Sequence, residues 1–144
     1  MRLLIVNGPN LNLLGIREPE LYGKKDYKAL VEYCMEICEE CGLECKIFQS
    51  NHEGDIVDKI QEAYGVVDGI IINPAAYTHT SVAILDALKA VGLPAIEVHL
   101  TDIDAREDFR KTSYAGMACM KTFAGHGFEG YAMAIKELKE YLTK

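Results

Sequence analysis

Tyrosine, arginine, histidine, asparagine and glutamate gather at a few places in this 144-residue chain, each just after a short apolar run. Residues 3–6 lead into Asn7-Gly-Pro-Asn10-Leu-Asn12, then a stretch holding Arg17 and Tyr22. Residues 69–72 lead into Asn73-Pro-Ala-Ala-Tyr-Thr-His79. A third run carries Glu97-Val-His99-Leu100-Thr101-Asp102, with Arg106 and Arg110 beyond it. These side chains suit proton transfer better than attack on an electrophilic centre. No Ser or Cys stands in a Gly-x-Ser-x-Gly elbow and no His pair has metal-ligand spacing within a helix, so acyl transfer and metal-assisted hydrolysis are poorly served.

A tyrosine is a base only as phenolate, and with a free pKa of about 10 roughly one in a thousand is ionised at neutral pH. It needs cationic neighbours, and Arg17, Arg106 and Arg110 are the candidates. Glu97 and His99 are two apart on one strand, and alternation aims both at the same face. A carboxylate beside an imidazole orients the ring and favours its protonated form, which would equip His99 to donate a proton. Each residue also has a plainer reading. Tyr22 could pack a loop, Arg17 and Arg110 could be solvated charges, Asn10 and Asn12 could form turns, and His79 could neighbour a helix cap.

The elements that must position these groups alternate along the chain. Strands are expected at residues 3–6, 44–48, 69–72, 95–98 and 117–123, and helices at 26–41, 54–64, 80–90, 106–111 and 130–142. Short apolar strands separated by helices imply a parallel sheet covered on both faces, hence a flavodoxin-like α/β fold with a five-stranded sheet. Such sheets bind ligands beyond the carboxyl ends of their strands, where the polar residues collect. The stretch after the first strand, too long for an ordinary turn, reads as a lid or binding loop. Gln49-Ser-Asn-His52 reads as a solvated turn, and Gly125-His-Gly-Phe-Glu-Gly130 as a tight strand-to-helix turn. The latter matches the dinucleotide fingerprint in letters, but the chain offers no later strand with the required acid.

Length suits one domain spanning residues 1–144, and 49% apolar with 26% charged residues describes a globular chain. A formal charge of −7 removes the electrostatic term that drives binding to a phosphate backbone, so nucleic acid is not an expected partner. No apolar run is long enough to span a membrane and no export signal is evident, so a cytoplasmic location is expected. The five cysteines include Cys34, Cys38 and Cys41, spaced as in an iron–sulfur triplet. That spacing falls inside the expected 26–41 helix, where they complete an apolar stripe with Ala29, Leu30, Tyr33 and Ile37, so buried free thiols are expected.

The opening strand with Asn7-Gly-Pro-Asn-Leu-Asn, the Arg17-Glu-Pro-Glu-Leu-Tyr22-Gly segment, Asn73 through Ser81, Glu97-Val-His99, Ala105-Arg106-Glu-Asp-Phe-Arg110 and the Gly125 to Tyr131 stretch together resemble type II 3-dehydroquinate dehydratase, over essentially the whole chain. The resemblance implies a flavodoxin-like subunit with no metal or organic cofactor, assembled as a homododecamer of four trimers, acting on 3-dehydroquinate in the shikimate pathway. It implies that Tyr22, as phenolate, removes a proton alpha to the ketone, with Arg17 lowering its pKa and closing the lid. An enolate follows, with Asn10 holding a water against the developing oxyanion. His99, oriented by Glu97, protonates the departing hydroxyl. Asn73, His79 and Arg110 bond substrate hydroxyls, the N–H groups of Leu100 and Thr101 take the carboxylate, and Asp86 comes from a neighbouring subunit. Arg106 looks similar to an arginine near the site, without an assigned role.

The chain departs from the usual pattern at Asp102 and Asp104, where the family commonly has Asn and His. Asp102 adds a negative charge near the expected carboxylate site, so either a turned-away side chain or weaker affinity is expected. A receiver domain or a flavin carrier shares the fold, but the first needs acids where Asn7–Asn10 and Asn73 stand, and the second a Ser/Thr-rich phosphate loop where Gly8-Pro-Asn stands. A noncatalytic ligand-binding subunit would differ in turnover rather than in residues.

Overall fold

The computed structural model describes residues 1–16 and 25–144. Five parallel strands, β1 (Arg2–Asn7), β2 (Glu44–Gln49), β3 (Gly69–Asn73), β4 (Ala95–His99) and β5 (Lys121–Ala124), form one sheet in the order β2-β1-β3-β4-β5. Helices α1 (Tyr27–Glu40), α2 (Glu53–Glu62), α3 (Val82–Val91) and α4 (Glu129–Thr143) connect them and cover both faces. This is the flavodoxin-like α/β arrangement, and its strand order reverses between β1 and β3, which opens a crevice at their carboxyl ends.

Burial explains why the strands read as continuous apolar runs. Ile70, Ile71 and Ile72 are all solvent-free, yet alternation sends Ile71 to a core shared with α1 and α4 and its two neighbours to a core shared with α2 and α3. On α1, Leu30, Cys34 and Cys38 recur every four residues and face the first core, while Asp26 caps the helix by accepting the Ala29 N–H at 2.8 Å. The cysteines are free, and burial pushes the Cys34 thiol up to about 12, as suits a small core hydrophobe. Ser81 caps α3 in the same way through the Ile84 N–H, so the helix starts at Val82, after a separate 3-10 turn, Ala75–His79, that the sequence does not announce.

Two expected elements take another form. The helix expected at 106–111 is two 3-10 turns, Ile103–Ala105 and Asp108–Arg110, parted by Arg106 in an extended conformation. Asp102 takes the Asp104 N–H at 3.0 Å and closes the first turn locally, so nothing propagates it. The strand expected at 117–123 begins only at Lys121, because Ser113 accepts the Gly116 N–H and winds Ala115–Ala118 into another 3-10 turn. Among the described residues, no helix is long and apolar enough to cross a membrane.

Candidate active site

A cleft lies at the carboxyl ends of β1, β3 and β4. Pro9 and Asn10 line one wall, Asn73 and Ala75 the floor, and His79, His99, Leu100, Thr101, Arg106 and Arg110 the rest. The described residues contain two non-glycine residues in the left-handed backbone region, Asn10 at φ 70° and Ala75 at φ 53°, and both border this cleft. Strain of this kind persists where surrounding contacts over-determine it. The Asn10 N–H donates to Asn51 Oδ1 at 3.0 Å, and Gln49 Nε2 donates to the Gly8 carbonyl at 3.1 Å. Tyr77 in turn donates to the Asn51 carbonyl at 2.8 Å. The turn after β2 therefore buttresses the start of the segment after β1 and is not merely solvated, as its polarity suggests.

Asn73 is 3% exposed and held at both ends of its amide. Its Oδ1 accepts the Ala75 N–H at 3.1 Å, and its Nδ2 donates to the Tyr131 hydroxyl at 3.0 Å. Tyr131, wholly buried on α4, donates in turn to Asn7 Oδ1 at 2.6 Å. Burial drives its phenol well above the ordinary range, so it remains a neutral hydrogen-bonding group.

Glu97 and His99 share the face of β4 that also carries Ala95, as their spacing requires. His99 Nε2 lies 2.7 Å from Glu97 Oε2, with both residues almost solvent-free. That contact engages one ring nitrogen and leaves Nδ1 available at the cleft. Burial pushes the Glu97 carboxyl up, but hydrogen bonds from His99, Ser113 and Thr78, with the histidine's charge, hold it at about 2. It is an anion at any physiological pH.

His79 Nδ1 sits 2.8 Å from the Thr112 carbonyl, which makes it the donor nitrogen and leaves Nε2 as an acceptor towards the cleft. Arg110 directs Nε at both oxygens of Glu107, at 3.1 and 3.2 Å, which leaves the terminal nitrogens of its guanidinium for the cleft it lines. The glycine turn does more than change direction. The Gly125 N–H donates to the His99 carbonyl at 3.3 Å and the Gly127 N–H to the Leu100 carbonyl at 3.0 Å. Both peptides are trans, so the N–H groups of Leu100 and Thr101 point the opposite way, and no described group engages either of them. Gly125 and Gly127 reach these positions at φ 85° and 57°, where a side chain is disfavoured.

The chain as a whole finds its counterpart in known proteins. The sequence profile of the family described as dehydroquinase class II matches residues 1–139. The chain belongs to the class II dehydroquinase family. It is an enzyme of that class. It is 52% identical over 143 residues to a 3-dehydroquinate dehydratase of Clostridium perfringens, covering 99% of this chain and 98% of the other, and 46% identical over all 144 residues to the protein of that name from Clostridium acetobutylicum. The crystal structure of the type II dehydroquinase of Butyrivibrio crossotus superposes with a TM-score of 0.93 at 50% identity, covering 96% of this chain and 97% of that one.

Of the residues the sequence singles out, Asn10, Asn73, His79, His99, Leu100, Thr101 and Arg110 meet at the cleft, with Glu97 behind His99. Arg17 and Tyr22 lie outside the described residues. Asp86 is exposed on α3 and does not line the cleft of its own chain. Asp102 spends its carboxylate on the Asp104 N–H and is absent from the cleft lining, so the turned-away outcome is the one observed. Reading the sequence misses Asn7, Asn51, Thr78, Ser113, Thr122 and Tyr131 as supports. Their partners lie up to 124 positions away, as for Tyr131 and Asn7, and no local spacing announces such a pair.

Proposed function

We propose that this enzyme removes water from 3-dehydroquinate to give 3-dehydroshikimate through an enolate, with Tyr22 as phenolate base and His99 as general acid. The observation that carries this reading is the buried Glu97–His99 pair, one ring nitrogen held by the carboxylate and Nδ1 left for the cleft. Tyr22 takes the proton alpha to the ketone, and the electron pair moves into the carbonyl to form the enolate. Arg17 supports the phenolate by charge. A water held by Asn10 meets the oxyanion, where prearranged donors lower the barrier most. The electrons then return, the carbon–oxygen bond to the departing hydroxyl breaks, and His99 delivers the proton that makes it water.

Recognition follows from the same surfaces. The paired N–H groups of Leu100 and Thr101 suit the two oxygens of a carboxylate, and Arg106 and Arg110 bring positive charge to the same cleft of an otherwise acidic chain. Asn73, Nε2 of His79 and Arg110 offer donors and an acceptor for hydroxyl groups. Asp86 is supplied by an adjacent copy within a trimer, four trimers making a homododecamer in the cytoplasm.

The test is direct. The purified protein mixed with 3-dehydroquinate is expected to produce the absorbance of a conjugated enone, and borohydride added with substrate is expected to leave activity intact because no lysine imine forms. Absence of the enone signal would remove the activity, and inactivation by borohydride would replace the tyrosine mechanism.

A further inference from the structure

Glu97 is met by more donors than a pairing with His99 requires. Thr78 Oγ1, at 2.7 Å, and Ser113 Oγ join His99 Nε2 around Oε2, while Thr122 Oγ1 donates to Oε1 at 2.8 Å. The three hydroxyls come from the turn after β3, the segment before Ala115–Ala118, and β5, the strand whose Thr122 is paired with Glu97. The fit is close, since a Cβ at position 116 would fall 2.6 Å from Oε1 and would have to displace the carboxylate. A carboxyl buried to 1% exposure without such donors takes up a proton. Protonated Glu97 would offer an O–H to the imidazole and withdraw the negative charge that holds an imidazolium.

We propose that Thr78, Ser113 and Thr122 are positioning residues that keep Glu97 ionised and so set the charge and ring orientation of His99, with Nδ1 towards the cleft. The inference rests on the reading of His99 as the acid. Among the described residues, the titratable groups around Glu97 are His99 on its own strand and Cys119, whose thiol burial and the carboxylate push up to about 12, which leaves it neutral. The strand neighbours in register, Ile72 on β3 and Thr122 on β5, do not titrate. His79, Arg106 and Arg110 border the cleft on the side of His99.

Thr122→Val keeps the side-chain shape and removes one donor, and Ser113→Ala removes another. Losing a donor destabilises the anion, so the lower apparent pKa of the Glu97–His99 pair should move upward, by about one unit. We expect kcat at neutral pH to fall roughly tenfold, because a carboxylate held by fewer donors orients the imidazole less firmly even while it stays ionised, with KM within about twofold, because none of the hydroxyls lines the cleft. Thr122→Ser should restore both the profile and the rate. A pH–rate profile superimposable on that of the parent enzyme in both variants, or one unmoved while only thermal stability falls, would overturn the proposal. Titration of ¹³C-labelled histidines in the same proteins reads His99 without turnover. A shifted His99 titration with unchanged kcat would uphold the hydroxyl cradle while removing His99 from catalysis, and an unshifted titration would refute the cradle.

Discussion

Replacing Tyr131 with phenylalanine removes one oxygen from the interior and changes almost nothing else. That oxygen donates to Asn7 Oδ1 at 2.6 Å and accepts from Asn73 Nδ2 at 3.0 Å, in a position closed to solvent. Without it, two buried amides each lose a partner, at about 1–3 kcal/mol apiece. Among the described residues, the Asn7 side chain keeps only a long contact with the Tyr27 hydroxyl, at 3.4 Å, so little is recovered. A combined loss of roughly 2–6 kcal/mol is expected, which at about 3 °C per kcal/mol for a chain of this size lowers Tm by roughly 6–18 °C. Melting is to be compared at one subunit concentration, because association shifts apparent stability. Asn73 would keep its Ala75 anchor and lose its other one, so KM for 3-dehydroquinate should rise roughly three- to tenfold with kcat within about threefold. Unchanged Tm together with unchanged KM would show that the hydroxyl supports neither the fold nor the floor of the cleft.

Further outcomes follow from the proposed function and from the geometry of the site. Tyr22→Phe should lower kcat by on the order of 10³ with the fold intact, and Arg17→Ala should lower kcat and move the basic dependence to higher pH; near-normal turnover or an unmoved profile, read in steady-state kinetics, counts against the base assignment. Glu97 is held at about 2 against an ordinary 4.5, so its contribution to stability is fully present above pH 4.5 and is lost as pH falls towards 2, an effect on the order of 3 kcal/mol. Glu97→Gln should flatten that acid limb in denaturant titrations, and an unchanged slope would refute the assignment. Gly127→Ala meets no atom within 4 Å but forces a side chain to φ 57°, so it should raise KM by misaligning the Leu100 carbonyl and its neighbouring N–H groups, while Gly127→Asn, which tolerates that backbone, should lose less; equal KM values in the three proteins exclude the role. Asp86→Ala should weaken substrate binding and leave Tm nearly unchanged, and sedimentation should give a trimer or dodecamer; a fully active monomer excludes a shared site.

The period of the apolar residues was enough to place all five strands and the four main helices, because a sheet covered on both faces needs unbroken apolar strands and each covering helix needs a single stripe. It was also enough to put Glu97 and His99 on one face, since strand alternation is purely local. Local patterning failed where short-range caps compete with propagation, at Asp102, Arg106 and Ser113, whose hydrogen bonds and extended backbone turn an expected helix and half a strand into 3-10 turns. The supports of the site were beyond its reach for a different reason. Thr78, Ser113 and Thr122 are unremarkable in sequence and become a set only when three separate segments close around one buried carboxylate that cannot remain charged without them. The chain's letters determine which groups are available for proton transfer, and the packing of β3, β4 and β5 decides which of them remain charged and which way the imidazole faces.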